Sequence, residues 1–197
     1  ISALFKVGRK GEVIGVLEEM RENGCKPDTV TYNAMISGFC KEKDFDSALR
    51  VLNEMEEKGC KPDVISFNVI ICAYCKEGKY IEAKELFEDM PTRSCPPDVI
   101  TYRTLFDGLC EGMQFREAAF ILDEMIFKGY VPRAVSIYKF VDKLFQEGDV
   151  ESVCTVLNSL AKGNFIDVGT WMMVISSVCQ KDKLPDVSEL VDILIMP

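Results

Sequence analysis

Histidine is absent from the 197-residue chain, and tryptophan occurs once, at Trp171. Without histidine there is no Ser-His-Asp triad, no HExxH zinc protease and no His-x-Glu zinc deaminase. Long apolar runs are missing too. The longest, Val69 to Cys75, falls far short of the roughly 18 to 20 residues of a membrane-spanning helix, so no membrane partner is expected. Neither strand alternation nor a Gly-rich phosphate loop occurs along the chain. Basic residues are outnumbered, 23 Lys and Arg against 32 Asp and Glu, which gives a net charge of −9 and a pI near 4.7. That balance excludes nucleic-acid binding by bulk attraction and confines any such role to a local surface.

Cysteine, by contrast, is plentiful. Nine of them invite a disulfide reading, but the count is odd, the chain is long for a stapled scaffold and no secretory signal opens it. A reducing compartment is the expectation. The first residue is Ile1 rather than Met, from which a missing native N-terminus is expected.

The residues that are present repeat. Pro27, Pro62, Pro97 and Pro132 stand 35 residues apart, as do Met20, Met55, Met90 and Met125. Cys40, Cys75 and Cys110 keep the interval, and so do Cys25, Cys60 and Cys95, then Ala48, Ala83 and Ala118. Five columns in one register define a partial unit at 1–28, units at 29–63, 64–98 and 99–133, a degenerate unit at 134–168 and a partial degenerate one at 169–197. In the degenerate unit Leu160 takes the Met column and Asp167 the Pro column.

Each unit reads as two helices. In 29–63, Tyr32, Met35, Ile36 and Phe39 form one apolar stripe at helical spacing; Lys41-Glu42-Lys43-Asp44 breaks it; Phe45, Ala48, Leu49, Val51, Leu52 and Met55 form a second. The second helix is predicted to stop at Lys58-Gly59, with Gly in the left-handed cap, and Asp63 to cap the helix after Pro62. Helices of about 12 to 14 residues in such pairs cannot bury their stripes alone, so the pairs must stack. The expected fold is all-α, a solenoid of tandem 35-residue helix-turn-helix repeats.

Val30-Thr31-Tyr32-Asn33-Ala34-Met35-Ile36-Ser37-Gly38-Phe39-Cys40-Lys41, followed by Ala48-Leu49, Glu54-Met55 and Gly59-Cys60-Lys61-Pro62-Asp63, resembles the pentatricopeptide repeat. Ile65-Ser66-Phe67-Asn68-Val69-Ile70 and Ile100-Thr101-Tyr102-Arg103-Thr104-Leu105 repeat the opening. The uniform spacing resembles the P-type branch; the tetratricopeptide repeat has a 34-residue period and a signature absent here. The resemblance implies a right-handed superhelix and single-stranded RNA as partner, read one base per repeat along a groove of first helices. It implies base-reading pairs Asn33 with Asp63, Asn68 with Asp98, Arg103 with Arg133, and Tyr138 with Val168. Asn with Asp resembles the family's uracil-preferring combination, Asp steering the Asn amide directly or through water. Arg with Arg and Tyr with Val depart from the usual combinations, and no base is assigned to them. Val30, Ile65, Ile100 and Val135 take the base-stacking position, each β-branched and stiff. Lys41 and Lys76 take the phosphate position, where Glu111 and Gln146 stand later, so the cationic track is expected to fade. The family further implies a plant organelle (mitochondrion, with chloroplast as alternative) and a role in transcript processing, stability, editing or translation.

Each feature also has a plainer reading. Cys72-x-x-Cys75 has the spacing of half a metal site, yet Cys75 belongs to a repeat column and no second ligand pair exists, so neither metal nor cofactor is expected. The Met column is core, and Trp171 is read as an inter-helix residue before a stacking one. Asp44, Asp46, Glu54, Glu56 and Glu57 are read as a solvated outer face. Nothing forms a catalytic constellation, so the chain is not expected to be an enzyme. The alternative function is an α-solenoid scaffold for another protein. At the ends, Val13, Val16, Leu17 and Met20 are expected to lack cover, and Leu190 to Met196 to offer an apolar face, which suggests a homodimer or a protein partner.

Overall fold

A computed structural model describes residues 1–6 and 8–147, together with Val156 and Leu160. Every regular element among the described residues is helical: α1 (Ser2–Lys6), a 3-10 turn (Lys10–Glu12), α2 (Val13–Glu22), α3 (Thr29–Lys41), α4 (Phe45–Glu57), α5 (Val64–Lys76), α6 (Tyr80–Asp89), α7 (Val99–Glu111), α8 (Phe115–Phe127) and α9 (Ala134–Glu147). The helices pair as the 35-residue period predicts, and the fold is an all-α solenoid of helix-turn-helix repeats. Trp171 and Leu190 to Met196 lie outside the described residues.

Both turns of each repeat close in the same way, because one residue takes a left-handed backbone. After the first helix, the N–H of Arg9, Asp44, Lys79 and Gln114 donates to the carbonyl five residues earlier, each at 2.9 Å. The turning residues are Gly8, Lys43, Gly78 and Met113, all at φ between 56° and 74°. After the second helix, the N–H of Cys25, Cys60, Cys95 and Tyr130 donates to the Met20, Met55, Met90 and Met125 carbonyls at 2.8 to 3.0 Å. There the turning residues are Gly24, Gly59, Ser94 and Gly129. These are Schellman-type stops, in which a 6→1 bond satisfies an otherwise orphaned carbonyl. Lys43, Ser94 and Met113 hold the conformation without glycine, so the bond pattern outweighs residue preference at those positions.

Beyond the short helices α1 and α2 of the partial first unit, α6 departs from the predicted length. α6 has 10 residues where α4 and α8 have 13. Pro91 sits where the helix would continue; it has no N–H to give the preceding turn, and a four-residue turn follows in its place.

The chain divides into two compact units, Ile1–Thr104 and Leu105–Pro197, with the division inside α7. In the first, α3 packs on α1, α4 and α5, and α5 packs on α6. Met35, Ile36, Leu52, Met55, Phe67, Ile70, Ile71 and Met90 are fully buried. Ring pairs lock consecutive helices: Phe5 on Phe39 (5.0 Å), Phe45 stacked on Tyr74 (4.6 Å) and Phe87 on Tyr102 (4.9 Å). Each adds about 0.5–1.5 kcal/mol beyond its buried area. In the second, Phe140 lies between Phe106 (5.5 Å) and Phe115 (6.0 Å), and Leu160 is fully buried, as its place in the Met column implies.

The N-terminal unit corrects an expectation. Val13 and Leu17 are fully buried and Val16 and Met20 half-buried. The short helix α1 packs on α3, where the Phe5 ring lies so close to Gly38 that a Cβ there would clash with it. The acidic residues need a correction as well. Asp44 caps α4, its Oδ1 accepting from the Ser47 N–H (3.2 Å), and Glu54 pairs with Arg21 (2.7 Å), which also donates to the Tyr32 hydroxyl. Only Asp46, Glu56 and Glu57 are exposed, and Glu56 takes part in an ion pair with Arg93 at 3.4 Å.

Candidate nucleic-acid interface

The first helices begin at an aspartate because a carboxylate satisfies their orphaned N–H groups. Asp28, Asp63 and Asp98 accept from the N–H of Thr31, Ser66 and Thr101 at 2.8, 2.9 and 2.8 Å. The capping role expected of Asp63 therefore exists, and Asp28 and Asp98 share it. At Asp63 it coexists with a second one. Asn33 Nδ2 donates to Asp63 Oδ1 (3.2 Å), while Ser66 Oγ donates to Asn33 Oδ1 (2.6 Å). Burial opposes the charge on Asp63, but the donors of Ser66 and Asn33 outweigh it and hold the carboxyl below its usual range.

The next repeat has the same two letters and a different geometry. No hydrogen bond joins Asn68 to Asp98, and Asn68 Oδ1 is buried without a partner. Thr101 Oγ1 turns back to Asp98 Oδ1 at 3.0 Å. Asn68 instead lines a cleft of about 620 Å³ together with Ile65, Cys72, Asp98 and Ile100. Lys41, Lys43 and Lys76 line it as well. Lys43 pairs with Glu77 at 2.6 Å, whereas Lys41 and Lys76 are exposed and have no ion pair among the described residues. The sequence-predicted stacking residues are exposed against their apolar character: Val30 74%, Ile65 59%, Ile100 54% and Val135 62%. Water-facing β-branched side chains at a fixed interval beside polar amides make a surface suited to flat, polar-edged ligands.

In the second compact unit Arg133 stands in the aspartate register, and its guanidinium offers no acceptor to cap α9. The N–H groups of Ser136 and Ile137 donate to the Arg133 carbonyl at 3.0 and 3.1 Å. The Arg133 guanidinium pairs with Asp107 (3.0 Å), one turn beyond Arg103 on α7. Arg103 has partners of its own. Tyr138 is half-buried on α9, and Val168 lies outside the described residues. Glu111 and Gln146 hold the register of Lys41 and Lys76, and the cations nearby sit at other positions. Arg133, Lys139 and Lys143 line a smaller cleft of about 190 Å³ with Asp107, and Lys143 Nζ donates to the Cys110 and Glu111 carbonyls at the end of α7.

Cys40, Cys75, Cys95 and Cys110 are buried, Cys60 and Cys72 half-buried and Cys25 exposed. All seven described are free, no cluster of His, Cys, Asp or Glu suited to a metal occurs among the described residues, and burial pushes the Cys40 thiol up to about 12. Sequence reasoning missed the column Thr31, Ser66, Thr101 and Ser136. Its three later members are buried polar residues at the 35-residue interval, which is the signal that would have found them.

This geometry recurs in known proteins. The PPR repeat family model matches residues 1–41, 27–71 and 62–111, and a PPR repeat model matches 100–130. A pentatricopeptide repeat-containing protein of Arabidopsis thaliana is 40% identical over 50 residues, which are 25% of this chain and 8% of that protein. The crystal structure of PPR10 from maize superposes with a TM-score of 0.73 at 24% identity, covering 96% of this chain and 27% of the other. PPR10 in complex with an 18-nt psaJ RNA element is similar at 0.67 and 25% identity, covering 98% and 26%. The PPR domain of Arabidopsis thaliana protein-only RNase P 1, in complex with tRNA, has the same fold at 0.62 and 15% identity, covering 90% and 94%. The chain thus spans about a quarter of the PPR10 chains.

Proposed function

We propose, from the premise that the chain belongs to the PPR repeat family, that it is a non-catalytic adaptor that binds single-stranded RNA along the exposed face of its first helices. The observation that carries this reading is the cleft in which Ile65 and Ile100 flank Asn68, with Lys41 and Lys76 on its lining. Base rings fit between stiff apolar side chains, an amide addresses the base edge, and unpaired ammonium groups meet phosphate. The RNA-bound PPR10 and protein-only RNase P 1 structures support it by likeness. Uracil is the base proposed for the Asn33/Asp63 and Asn68/Asp98 repeats. The pairs Arg103 with Arg133 and Tyr138 with Val168 are kept as base-facing positions without a base. The proposed setting is RNA metabolism in a plant organelle, the mitochondrion first and the chloroplast second.

Filter binding to oligo(U) at low and moderate salt tests the proposal. We expect weak, salt-sensitive binding, since few repeats engage and much of the affinity is counterion release. A folded protein that binds nothing even at low salt sinks it. The second reading, a scaffold for a protein partner or a homodimer, is favoured by Phe127, which is 92% exposed at the end of α8. Light scattering over a hundredfold concentration range separates self-association from a monomer.

A further inference from the structure

We propose that Ser66 is a positioning residue: although it belongs to the following repeat, its hydroxyl sets the orientation of the Asn33 amide and with it the base discrimination of repeat 29–63. This rests on the RNA-reading proposal above. Ser66 is fully buried. Its Oγ accepts from the Asp63 N–H (3.2 Å), leaving one proton to donate. Two acceptors compete for that proton, Asn33 Oδ1 at 2.6 Å and Asp63 Oδ1 at 3.0 Å. Asp63 Oδ1 already receives the Ser66 N–H and Asn33 Nδ2–H, so the proton goes to the nearer Asn33 oxygen.

The amide is thereby gripped at both ends. Turned by 180°, it would set its carbonyl against the Asp63 carboxylate, two acceptors facing each other without a proton between them, and would lose the 2.6 Å bond from Ser66. One orientation survives, with Oδ1 committed to Ser66 and a single Nδ2–H left uncommitted. Such a group presents a donor, which suits a base edge offering a carbonyl where cytosine carries an amine, as uracil O4 does. The hydroxyl of Thr101 holds the same register one repeat on but returns to Asp98, and Asn68 is left with a buried, unpaired oxygen. Two repeats with identical base-reading letters are therefore unequal: Asn33 is set before a base arrives, and Asn68 is not.

Two measurements test this. In the RNA-free wild type, side-chain amide NMR should show the Asn33 Nδ2 protons exchanging with water more slowly than those of Asn68. Equal or faster exchange at Asn33 overturns the proposal, and this arm needs no variant to fold. In the second arm Asn68→Ala leaves Asn33 as the sole Asn reader, and the ratio of oligo(U) to oligo(C) affinity is measured with and without Ser66→Ala. We expect Ser66→Ala to cut that ratio by about tenfold, the scale of one well-made base contact, with a smaller change in oligo(C) affinity. An unchanged ratio, including one in which both affinities fall together, makes Ser66 merely structural and overturns its role while leaving RNA reading intact. No uracil preference before Ser66 is altered removes the base-reading assignment itself, and the Ser66 role with it.

Discussion

Repeats 29–63 and 64–98 carry the same Asn and Asp, proposed above to face the base, yet only the first closes them into a network. Asn33 is bonded to Asp63 and Ser66, while Asn68 stands in a cleft with its oxygen unpaired. A buried acceptor without a donor costs free energy, and one held at both ends contributes it. The lesson is that an amide's identity does not set its energetic role; the hydroxyl one repeat away does.

The largest expected break of this comparison lies at the aspartates. Asp63→Ala removes both a helix cap and the acceptor of Asn33, whereas Asp98→Ala removes only a cap. We expect losses of about 2 and about 1 kcal/mol respectively, read from urea denaturation midpoints. Equal losses would mean that the Asn33 bond adds nothing. Next come the asparagines themselves, where even the sign should differ. Asn33→Ala should cost about 1 kcal/mol, because it removes the bonds to both Asp63 and Ser66, while Asn68→Ala should lie within about 0.5 kcal/mol of zero or stabilise. Acid sharpens the contrast. The Asp63 carboxyl is held below its usual range in the folded state, so its contribution is present above the unfolded value of about 4 and is lost as pH falls through the lower folded value. Midpoints measured from pH 6 to pH 2.5 should drop in wild type more than in Asp63→Asn.

The smallest effect concerns the helix ends. Gly59 and Ser94 hold the same left-handed turn in the two repeats. Ser94→Gly should stabilise by up to about 1 kcal/mol and Gly59→Ala should cost about the same, both measured by thermal unfolding.

Much of the fold was legible because packing is periodic. The stripes Tyr32 to Phe39 and Phe45 to Met55 became α3 and α4, with Met55 in the core and Gly59 in the left-handed cap. What escaped was set by single bonds rather than by periodicity. Lys43 and Met113 take the turn of Gly8 and Gly78 because the 6→1 bond demands it, Pro91 shortens α6, and Val13 and Leu17 are buried at an end that length alone left bare. At the site, the sequence marked Asn33, Asp63, Asn68 and Asp98 by column but could not tell a gripped amide from an unpartnered one. That difference depends on where one Ser or Thr hydroxyl sends its proton. In the charge pattern, Lys41 and Lys76 have no ion pair among the described residues, while the spacing did not show that Arg133 pairs with Asp107 and that Lys143 bonds the end of α7.

The central claim is that the exposed first-helix face reads bases through Asn33 and Asn68, and the most direct measurement is competition between U-rich and G-rich oligonucleotides for wild type and for the double variant Asn33→Thr with Asn68→Thr. Wild type should prefer U-rich RNA. In the double variant the preference should move toward G-rich RNA by about 1–3 kcal/mol per changed contact, since Thr with Asp resembles the family's guanine-reading combination. If both proteins, folded by circular dichroism, rank the oligonucleotides identically, these residues do not read bases and the protein-scaffold reading takes their place.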